Sequence, residues 1–427
     1  MAPPDLRRPF KRVAISDQQK RRDLTLERQA QSRRDAQQAA RFLATSVIAF
    51  PSHDAHPLEE EQPCVEPIEP ESHTEEIEIK ENEEASTELG VLQATKLSKN
   101  EARKWFAKQL MLPEWMIDVP DRLAHDWYVF ARPEGVRCFV VSNNGTTTSR
   151  VRNGSILHKF PSALPNGARN RNVSGPAQSY SILDCIFHKA DQKYYVIDMV
   201  CWRGYSLYDC AFEFRLYWLN SKLAETGACN SPSKYHQFQF STIPVYNSDH
   251  DGLLAAYNGT SSYKKDGLLF YNKYAHYQTG NTPLALVWKD ENCSNHVIDT
   301  DSKGQIPTQQ RPVLELKDDG MIVTSDDPLI SLGCLNADFI EKENLQPGNL
   351  LRFAVSDGGI RCVDGKVIMA DLLYVEKVNH RDRAFADSFS KVMFQHMARH
   401  SPVKLDDLLS SVCSSEENIP PDIEMSG

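Results

Sequence analysis

The stretch Gln109-Leu110-Met111-Leu112-Pro113-Glu114-Trp115-Met116-Ile117-Asp118-Val119-Pro120 opens a strand-rich region in a chain of 427 residues. Beyond it, runs of β-branched and aromatic residues alternate with Gly, Pro, Asn and Asp as far as Trp288. Such runs favour strands, and the residues between them favour turns. The pattern predicts an α+β fold with an antiparallel, β-rich core between about residues 110 and 290.

Individual segments of this core fit particular elements. Segments 127–131 and 136–142 predict a hairpin whose turn is Pro133-Glu134-Gly135. Two helices are expected, a short one at 100–109 and a longer one at 212–223. Within the core we expect Trp202 and Trp218 to pack rather than to contact a ligand. The remaining predicted strands cover residues 181–187, 194–200, 265–271 and 283–288.

Charge is distributed unevenly along the chain. The formal net charge is −10, yet residues 1–45 are basic and residues 58–88 are acidic. This asymmetry is typical of interaction tails rather than of a folded core. No apolar run approaches the ~18 residues of a membrane span, and no secretory signal is expected. Ten cysteines without a CxxC pair argue against a disulfide framework or a zinc site, so we expect a reducing compartment and neither metal nor cofactor.

The N-terminal basic segment predicts a long helix. Ser16 and Gln19 can form a capping box, and residues 17–43 contain neither Pro nor Gly. Few of these residues are apolar, so the helix is expected to bury little against its own protein. A solvated tail, a nonspecific nucleic-acid arm and a helix bound by an acidic receptor all remain open. The basic residues of interest are Arg7, Arg8, Lys11, Arg12, Lys20, Arg21, Arg22, Arg28, Arg33, Arg34 and Arg41.

Composition divides the chain into predicted regions. A Glu- and Pro-rich linker of low hydrophobicity predicts disorder. The C-terminal part alternates β-like runs with Gly and Asp, which predicts a β-rich extension with hairpin turns at 357–359 and 364–365 and a closing helix. The predicted regions are 1–45, a basic segment and helix; 46–95, an acidic disordered linker; 96–295, the strand-rich domain; 296–400, the extension; and 401–427, a disordered acidic tail.

The order of the core segments resembles the motifs of the nucleotide-binding domain in mRNA guanylyltransferases and nucleic-acid ligases. Arg132-Pro133-Glu134-Gly135-Val136-Arg137 stands where that family carries Lys-x-Asp-Gly-x-Arg, whose lysine attacks a nucleotide phosphate. Arginine stays protonated and cannot be this nucleophile. Cys185 and Ile186 replace the glycine and acid of the third motif. Lys264 also begins a Lys-x-Asp-Gly pattern, but it follows the third motif instead of preceding it. We therefore expect no catalytic residue and no enzyme.

Longer strings resemble the snurportin family, adaptors that carry trimethylguanosine-capped spliceosomal U snRNPs into the nucleus. The basic N-terminal segment likewise resembles the importin-β-binding segment of nuclear import adaptors. The resemblance implies capped U snRNA, importin-β and an exportin as partners, shuttling between nucleus and cytoplasm, and no DNA or membrane partner. The strings are QLMLPEWMIDVP (109–120), SILDCIF (181–187), YYVIDMVCWRG (194–204), FRLYWLNSKL (214–223) and DGLLFYNK (266–273).

The same resemblance implies a cap-binding site. Trp288 corresponds to the family's stacking tryptophan, Leu112 would close the opposite side of the base, and Trp115 would lie near its N2 methyl groups. Pro113 stands where the family has serine, so an N–H or hydroxyl contact is lost there. Two alternatives remain, an active nucleotidyltransferase and a general RNA-binding scaffold. The candidate phosphate ligands are Arg137, Arg152, Lys222, Lys234 and Lys289.

Overall fold

The computed structural model describes residues 18–29, 99–169, 180–301, 303–363, 366–379 and 383–416. Three largely antiparallel sheets and eight helices make up this part of the chain, which confirms the predicted α+β class. The helices are α1 (Gln18–Gln29), α2 (Lys99–Phe106), α3 (Leu123–Asp126), α4 (Phe212–Glu225), α5 (His250–Asn258), α6 (Ala337–Lys342), α7 (Phe389–His400) and α8 (Leu405–Glu416). None of the helices in these ranges is both long and apolar enough to cross a bilayer.

Two sheets form the predicted core. The first has the strand order β1-β12-β11-β2-β10, and the second has the order β5-β4-β3-β6-β7-β8 with β9 paired to β7. The core strands are β1 (Met111–Trp115), β2 (Trp127–Pro133), β3 (Val136–Asn143), β4 (Thr146–Val151), β5 (Ile156–Phe160), β6 (Ser181–His188), β7 (Lys193–Trp202), β8 (Tyr205–Ser206), β9 (Gln239–Thr242), β10 (Tyr246–Asn247), β11 (Lys265–Asn272) and β12 (Gly280–Trp288).

The central strands are buried on both faces, which explains why they lack a clean apolar–polar alternation. Every residue of β6 is buried, and so is almost all of β7, β11 and β12. Phe130 of β2 packs its ring 5.3 Å from that of Tyr271 on β11. Burying one such side chain contributes roughly 1.5–3 kcal/mol. Trp202 is buried as predicted, and Trp218 is partly buried on α4.

A third sheet follows the core, where the sequence predicts a β-rich extension. Its order is β15-β14-β13-β16-β17. The hairpin turn expected at 357–359 is wrong, because these residues lie inside β16 at a register shift between Val355 and Ile360. Gly359 has a φ of 64°, which suits the irregular strand. The turn predicted at 364–365 lies outside the described residues. The strands are β13 (Val313–Leu316), β14 (Met321–Val323), β15 (Ser331–Cys334), β16 (Leu350–Val363) and β17 (Lys366–Val378).

The end of the chain is more ordered than expected. The prediction of a disordered tail from residue 401 is wrong for Leu405–Glu416, which form α8. Leu408 and Val412 are buried at 0% and 2% exposure, and they lie one helical turn apart on the same face. That apolar face packs α8 against α3 and α5 of the core. The stability of this helix comes from tertiary contacts, which the acidic composition of the segment conceals.

Candidate functional site

Strand pairing places three predicted site residues at the same end of the first sheet. β1 runs parallel to β12, with Trp115 opposite Val287, so Trp288 and Lys289 follow immediately beside Trp115. The Lys289 ammonium lies 5.7 Å from the centroid of the Trp115 ring. The Met116 amide donates to the Val287 carbonyl at 2.9 Å and fixes this register. Trp115 and Lys289 therefore meet on one face at the end of the first sheet, whereas Trp288, the residue after Val287, points to the opposite face.

Behind these residues lies a charged group that we call the Asp266 cluster, formed by Arg132, Asp266, Lys289 and Ser294. Asp266 Oδ1 accepts hydrogen bonds from Lys289 Nζ and Ser294 Oγ, each at 2.6 Å, and Oδ2 pairs with Arg132. Burial opposes ionisation of Asp266, but the two cations outweigh it and lower the pKa of its carboxyl. Burial likewise lowers the pKa of Lys289, against the pull of Asp266. Each of these charged groups has an opposite charge beside it.

Arg137 is held in a second buried pair. Its Nε and Nη2 donate to the two carboxylate oxygens of Asp184 at 3.0 and 2.8 Å, and Nη2 also reaches the Tyr271 hydroxyl at 3.2 Å. Burial lowers the pKa of Arg137, but Asp184 more than offsets this and raises it above the ordinary value. A fork of this kind is among the strongest charge pairs in proteins. A phosphate at Arg137 would compete with Asp184.

Trp288 is enclosed. Its exposed fraction is 0%, and its indole N–H donates to the Val403 carbonyl at 2.9 Å. Tyr257 of α5 packs 6.0 Å from its ring. Trp115 is partly open, but Phe394 of α7 lies 4.7 Å from its ring and Ser390 Oγ accepts from its backbone amide at 3.1 Å. The C-terminal segment therefore covers this end of the sheet, with α7 packed on Trp115 and Val403 on Trp288.

The sandwich expected between Leu112 and Trp288 is not formed. Leu112 pairs with Asn281 on β12, and the register shifts after Pro113, which pairs with Thr282. Leu112 precedes Trp115 by three residues on β1, which is roughly 10 Å along a strand. The strand register therefore separates this aliphatic side chain from the end of the sheet that holds the indoles.

The other three predicted phosphate ligands lie elsewhere. Arg152 is exposed, and its guanidinium carbon lies 5.7 Å from the Phe385 ring. Lys222 on α4 pairs with Glu225 at 2.7 Å, and Lys234 lies in a loop with its ammonium 5.6 Å from the ring of Tyr235. Within the described part of the chain, no hydrogen bond or ion pair joins these three cations to Trp115, Trp288 or Lys289.

Helix α1 packs on the core beside this site, contrary to the expectation that it buries little. Glu114 of β1 is 3% exposed and accepts from Arg21 through both carboxylate oxygens, at 2.7 and 2.9 Å, and from Gln18 at 2.7 Å. The Arg22 guanidinium lies 5.7 Å from the Trp127 ring, and burial lowers its pKa to about 10. The prediction failed because it considered apolar contacts, whereas this interface is made by polar groups.

The predicted importin-binding residues fall into two sets. Arg21 and Arg22 face the core, whereas Lys20 and Arg28 are exposed on the other side of α1. The remaining members lie outside the described residues: Arg7, Arg8, Lys11, Arg12, Arg33, Arg34 and Arg41.

Sequence reasoning missed the groups that close the site. Asp266 belongs to the Lys264-Lys265-Asp266-Gly267 pattern, yet its role as the partner of Arg132 and Lys289 depends on β2 and β11 being neighbours. Lys264 itself is exposed and pairs with Glu134 at 2.8 Å. Val403 contacts Trp288 through a backbone carbonyl, which no side-chain pattern can reveal. Across the described ranges, no group of three or more His, Cys, Asp or Glu is placed to hold a metal ion.

Comparison with known proteins finds a family match for the central region. Residues 109–289 match the family model described as Snurportin1, m3G cap-binding domain. Among solved structures, a mycobacterial DNA ligase D complexed with ATP and MES is 10% identical over 66% of this chain and 99% of its own, with a TM-score of 0.31. The ligase domain of M. tuberculosis LigD is 10% identical over 62% of this chain and 93% of its own, with a TM-score of 0.28. A Lig E DNA ligase is 13% identical over 62% of this chain and 98% of its own, also with a TM-score of 0.28.

Proposed function

We propose that this protein binds the trimethylguanosine cap of U snRNA and acts as a nuclear import adaptor, because residues 109–289 match the family model described as Snurportin1, m3G cap-binding domain. The family match carries the proposal, because it spans the region from β1 to β12 and includes Trp115, Trp288 and Lys289. Shuttling between nucleus and cytoplasm belongs to the same proposal.

The chemistry of the cap suits the indoles at this end of the first sheet. N7 methylation makes the guanine a flat cation, and an aromatic face can hold it by stacking, worth ~1–3 kcal/mol, with a cation–π contribution of ~0.5–2 kcal/mol. Trp288 is the proposed stacking partner, with Trp115 near the N2 methyl groups. Lys289 lies beside Trp115, and a phosphate of the cap would have to compete with Asp266 for its ammonium.

Cap binding at Trp288 requires its cover to move. The indole is closed by Val403 and by the packing of α8 on α5. A ligand can select only a state that exposes its binding surface, and its apparent affinity falls by the fraction of molecules in that state. We therefore propose that the cap binds a form in which residues 401–416 have left Trp288.

The import function is proposed to depend on the N-terminal basic segment. Arginine forks suit receptor carboxylates, and importin-β would compete with Glu114 for Arg21. Exposed Lys20 and Arg28 can make the first contact, and release of α1 then frees Arg21 and Arg22. An exportin remains a proposed partner for the return to the cytoplasm.

We also propose that the chain performs no nucleotidyl transfer. The motif resemblance puts Arg132 where the nucleophilic lysine would stand, and this arginine pairs with Asp266. Incubation with radiolabelled GTP and Mg²⁺ should therefore give no covalent adduct. An adduct that maps to Lys264 or Lys289 by peptide analysis would contradict this part of the proposal.

Binding of a fluorescent trimethylguanosine cap dinucleotide to the full chain tests the cap site. Trp288→Phe should weaken binding about tenfold, because a smaller ring loses part of the stacking energy. Trp218→Phe, in a partly buried indole on α4, is the matched control and should bind as the unmodified chain does. Equal affinity of the unmodified chain and both variants for the cap dinucleotide would show that Trp288 does not belong to the cap site.

Importin-β capture tests the adaptor function separately. Deleting residues 1–45 should abolish capture while leaving cap binding intact. The double variant Lys20→Ala/Arg28→Ala should weaken capture without disturbing the contacts between α1 and Glu114. Capture that survives the deletion would contradict the assignment of this segment.

A further inference from the structure

A cavity of about 490 Å³ lies outside the proposed cap site, between the segment that follows β12, strand β16 and helix α7. Its size is within the range of nucleotide-sized ligand sites, ~300–1,000 Å³. We call it the basic pocket and propose that it binds the ribose–phosphate backbone of RNA. It is lined by five basic side chains against three carboxylates, a formal excess of two positive charges. The basic residues are Arg311, Arg352, Arg383, Lys391 and Arg399.

The carboxylates of the pocket are already committed. Asp387 pairs with Arg383 and lies 3.1 Å from Lys391 Nζ, and Asp299 lies 2.7 Å from the same nitrogen. Asp301 accepts from the backbone amides of its own loop, at residues 303 and 305, at 2.9 Å each. Cations neutralise Asp299 and Asp387, whereas Asp301 keeps its charge, and the cations without a partner in the pocket still outnumber it.

Two or three cations remain for a ligand. Arg311 is exposed, and no carboxylate in the described part of the chain forms an ion pair with it. Arg399 donates to the Gln395 carbonyl at 3.0 Å, which leaves most of its fork unused. Arg352 pairs with Glu376 at 2.8 Å, but that carboxylate is half exposed, and a surface pair of this kind is easily exchanged. Guanidinium groups bind phosphate oxygens in a bidentate manner, so these side chains favour phosphodiesters.

Gln310 distinguishes a nucleotide from a simple anion. Its side chain is 6% exposed, and Nε2 donates to the Val392 carbonyl at 2.7 Å, which fixes the orientation of the amide. Oε1 is buried and has no donor within the described ranges. Buried acceptors in proteins nearly always have a donor. Phosphate oxygens cannot donate, but a ribose 2′-hydroxyl can, and this hydroxyl separates RNA from DNA.

The basic pocket adjoins the snurportin-like domain. Arg383 lines the pocket, and Phe385 follows it by two residues. The guanidinium carbon of Arg152, on the β4–β5 turn, lies 5.7 Å from the centroid of the Phe385 ring. Arg152 therefore extends the positive surface from the pocket to the core. The inference rests on the proposed function in one respect, since the bound RNA would be the chain that follows the cap.

Charge substitutions in the full chain test the pocket. The ligands are a short single-stranded RNA with a trimethylguanosine cap, the same RNA without a cap, and the cap dinucleotide alone. Arg311→Ala/Arg399→Ala should weaken the binding of both RNAs about tenfold. The slope of log affinity against log salt concentration should also become shallower, by the amount expected for the loss of about two phosphate contacts. Cap dinucleotide binding should not change. The matched control is Lys342→Ala/Lys377→Ala, which removes two exposed cations from the same C-terminal region. An equal loss in both double variants would overturn the proposal.

Two further arms separate this inference from the cap proposal. If the cap dinucleotide does not bind but RNA binding still depends on Arg311 and Arg399, the pocket assignment stands and the cap proposal fails. DNA of the same sequence should bind more weakly than RNA, because it cannot donate to Gln310. DNA that binds equally well, or RNA displaced by an excess of inorganic phosphate at constant ionic strength, would identify a simple anion site and contradict the inference.

Discussion

The Asp266 cluster and the basic pocket contain similar side chains but differ in what those side chains can do. In the Asp266 cluster, one buried carboxylate holds both Arg132 and Lys289. In the basic pocket, cations outnumber the carboxylates, and Arg311 is exposed. Positive charge closed by internal pairs contributes to folding, whereas positive charge in excess is available to a ligand. The two regions differ in how their carboxylates pair with the basic side chains, and not simply in how many basic side chains they contain.

Removing the acid should have the largest effect in the Asp266 cluster. Asp266→Ala leaves Arg132 and Lys289 buried without their carboxylate, which typically costs about 3–5 kcal/mol. Urea unfolding followed by circular dichroism measures the loss. Asp299→Ala, in the basic pocket, removes a half-exposed partner of Lys391 and should cost less than about 1 kcal/mol. Similar losses in the two variants would erase the distinction between the regions.

Loosening the C-terminal cover should have the next largest effect. Leu408→Ala/Val412→Ala removes buried contacts of α8, each worth about 1–3 kcal/mol. If α8 leaves Trp288 more often, affinity for the cap dinucleotide should rise several-fold. Asp406→Ala, on the exposed face of α8, is the control and should leave affinity unchanged. A fall in affinity with intact secondary structure would mean that α8 supports the site instead of covering it.

The equilibrium between docked and detached α1 depends on Glu114, and we expect a smaller effect there. Glu114→Gln keeps the size of the side chain but removes the charge that holds Arg21, which is worth about 1–3 kcal/mol for a charge-assisted hydrogen bond. Helix α1 should detach more readily, and importin-β capture should strengthen by up to about tenfold. Glu213→Gln, which touches Tyr128 and not α1, is a suitable control. No change in capture, or equal gains in both variants, would show that docking of α1 does not limit access.

The smallest effect is the pH dependence of Asp266. Its pKa is lowered in the folded protein, so its contribution to stability is complete above the unfolded value of about 3.9 and is lost as pH falls through the folded pKa. The stability difference between the unmodified chain and Asp266→Asn should therefore shrink in acid. Urea titrations at a series of pH values measure it. A difference that is constant down to low pH would show that the Asp266 charge adds nothing.

The sequence predicts the parts of this molecule that depend on local pattern. The strands around Phe130 and Phe270 contain continuous apolar runs, the strand around Ile186 is interrupted by Asp184, and the helix expected at 212–223 forms as α4. The family resemblance over residues 109–120 correctly anticipated the match to the cap-binding domain. Local pattern therefore predicts the core, and the family strings predict which family model its central region matches.

Long-range placement escaped prediction. The register of β1 on β12 separates Leu112 from Trp288, and a backbone carbonyl of Val403 closes the indole. Helix α1 binds through Glu114 and not through an apolar stripe. The basic pocket draws its cations from segments up to 88 positions apart, from Arg311 to Arg399. Each of these depends on which elements become neighbours, and composition and periodicity do not specify that.

The most direct test is a titration of the full chain with two dinucleotides, one carrying trimethylguanosine and the other unmethylated guanosine. Only the methylated base is cationic, so stacking on an indole should favour it at least about tenfold. Isothermal calorimetry measures both affinities under one set of conditions. A clear preference for the methylated cap is the result that the proposed function requires. Equal affinities, or no binding of either dinucleotide, would contradict it.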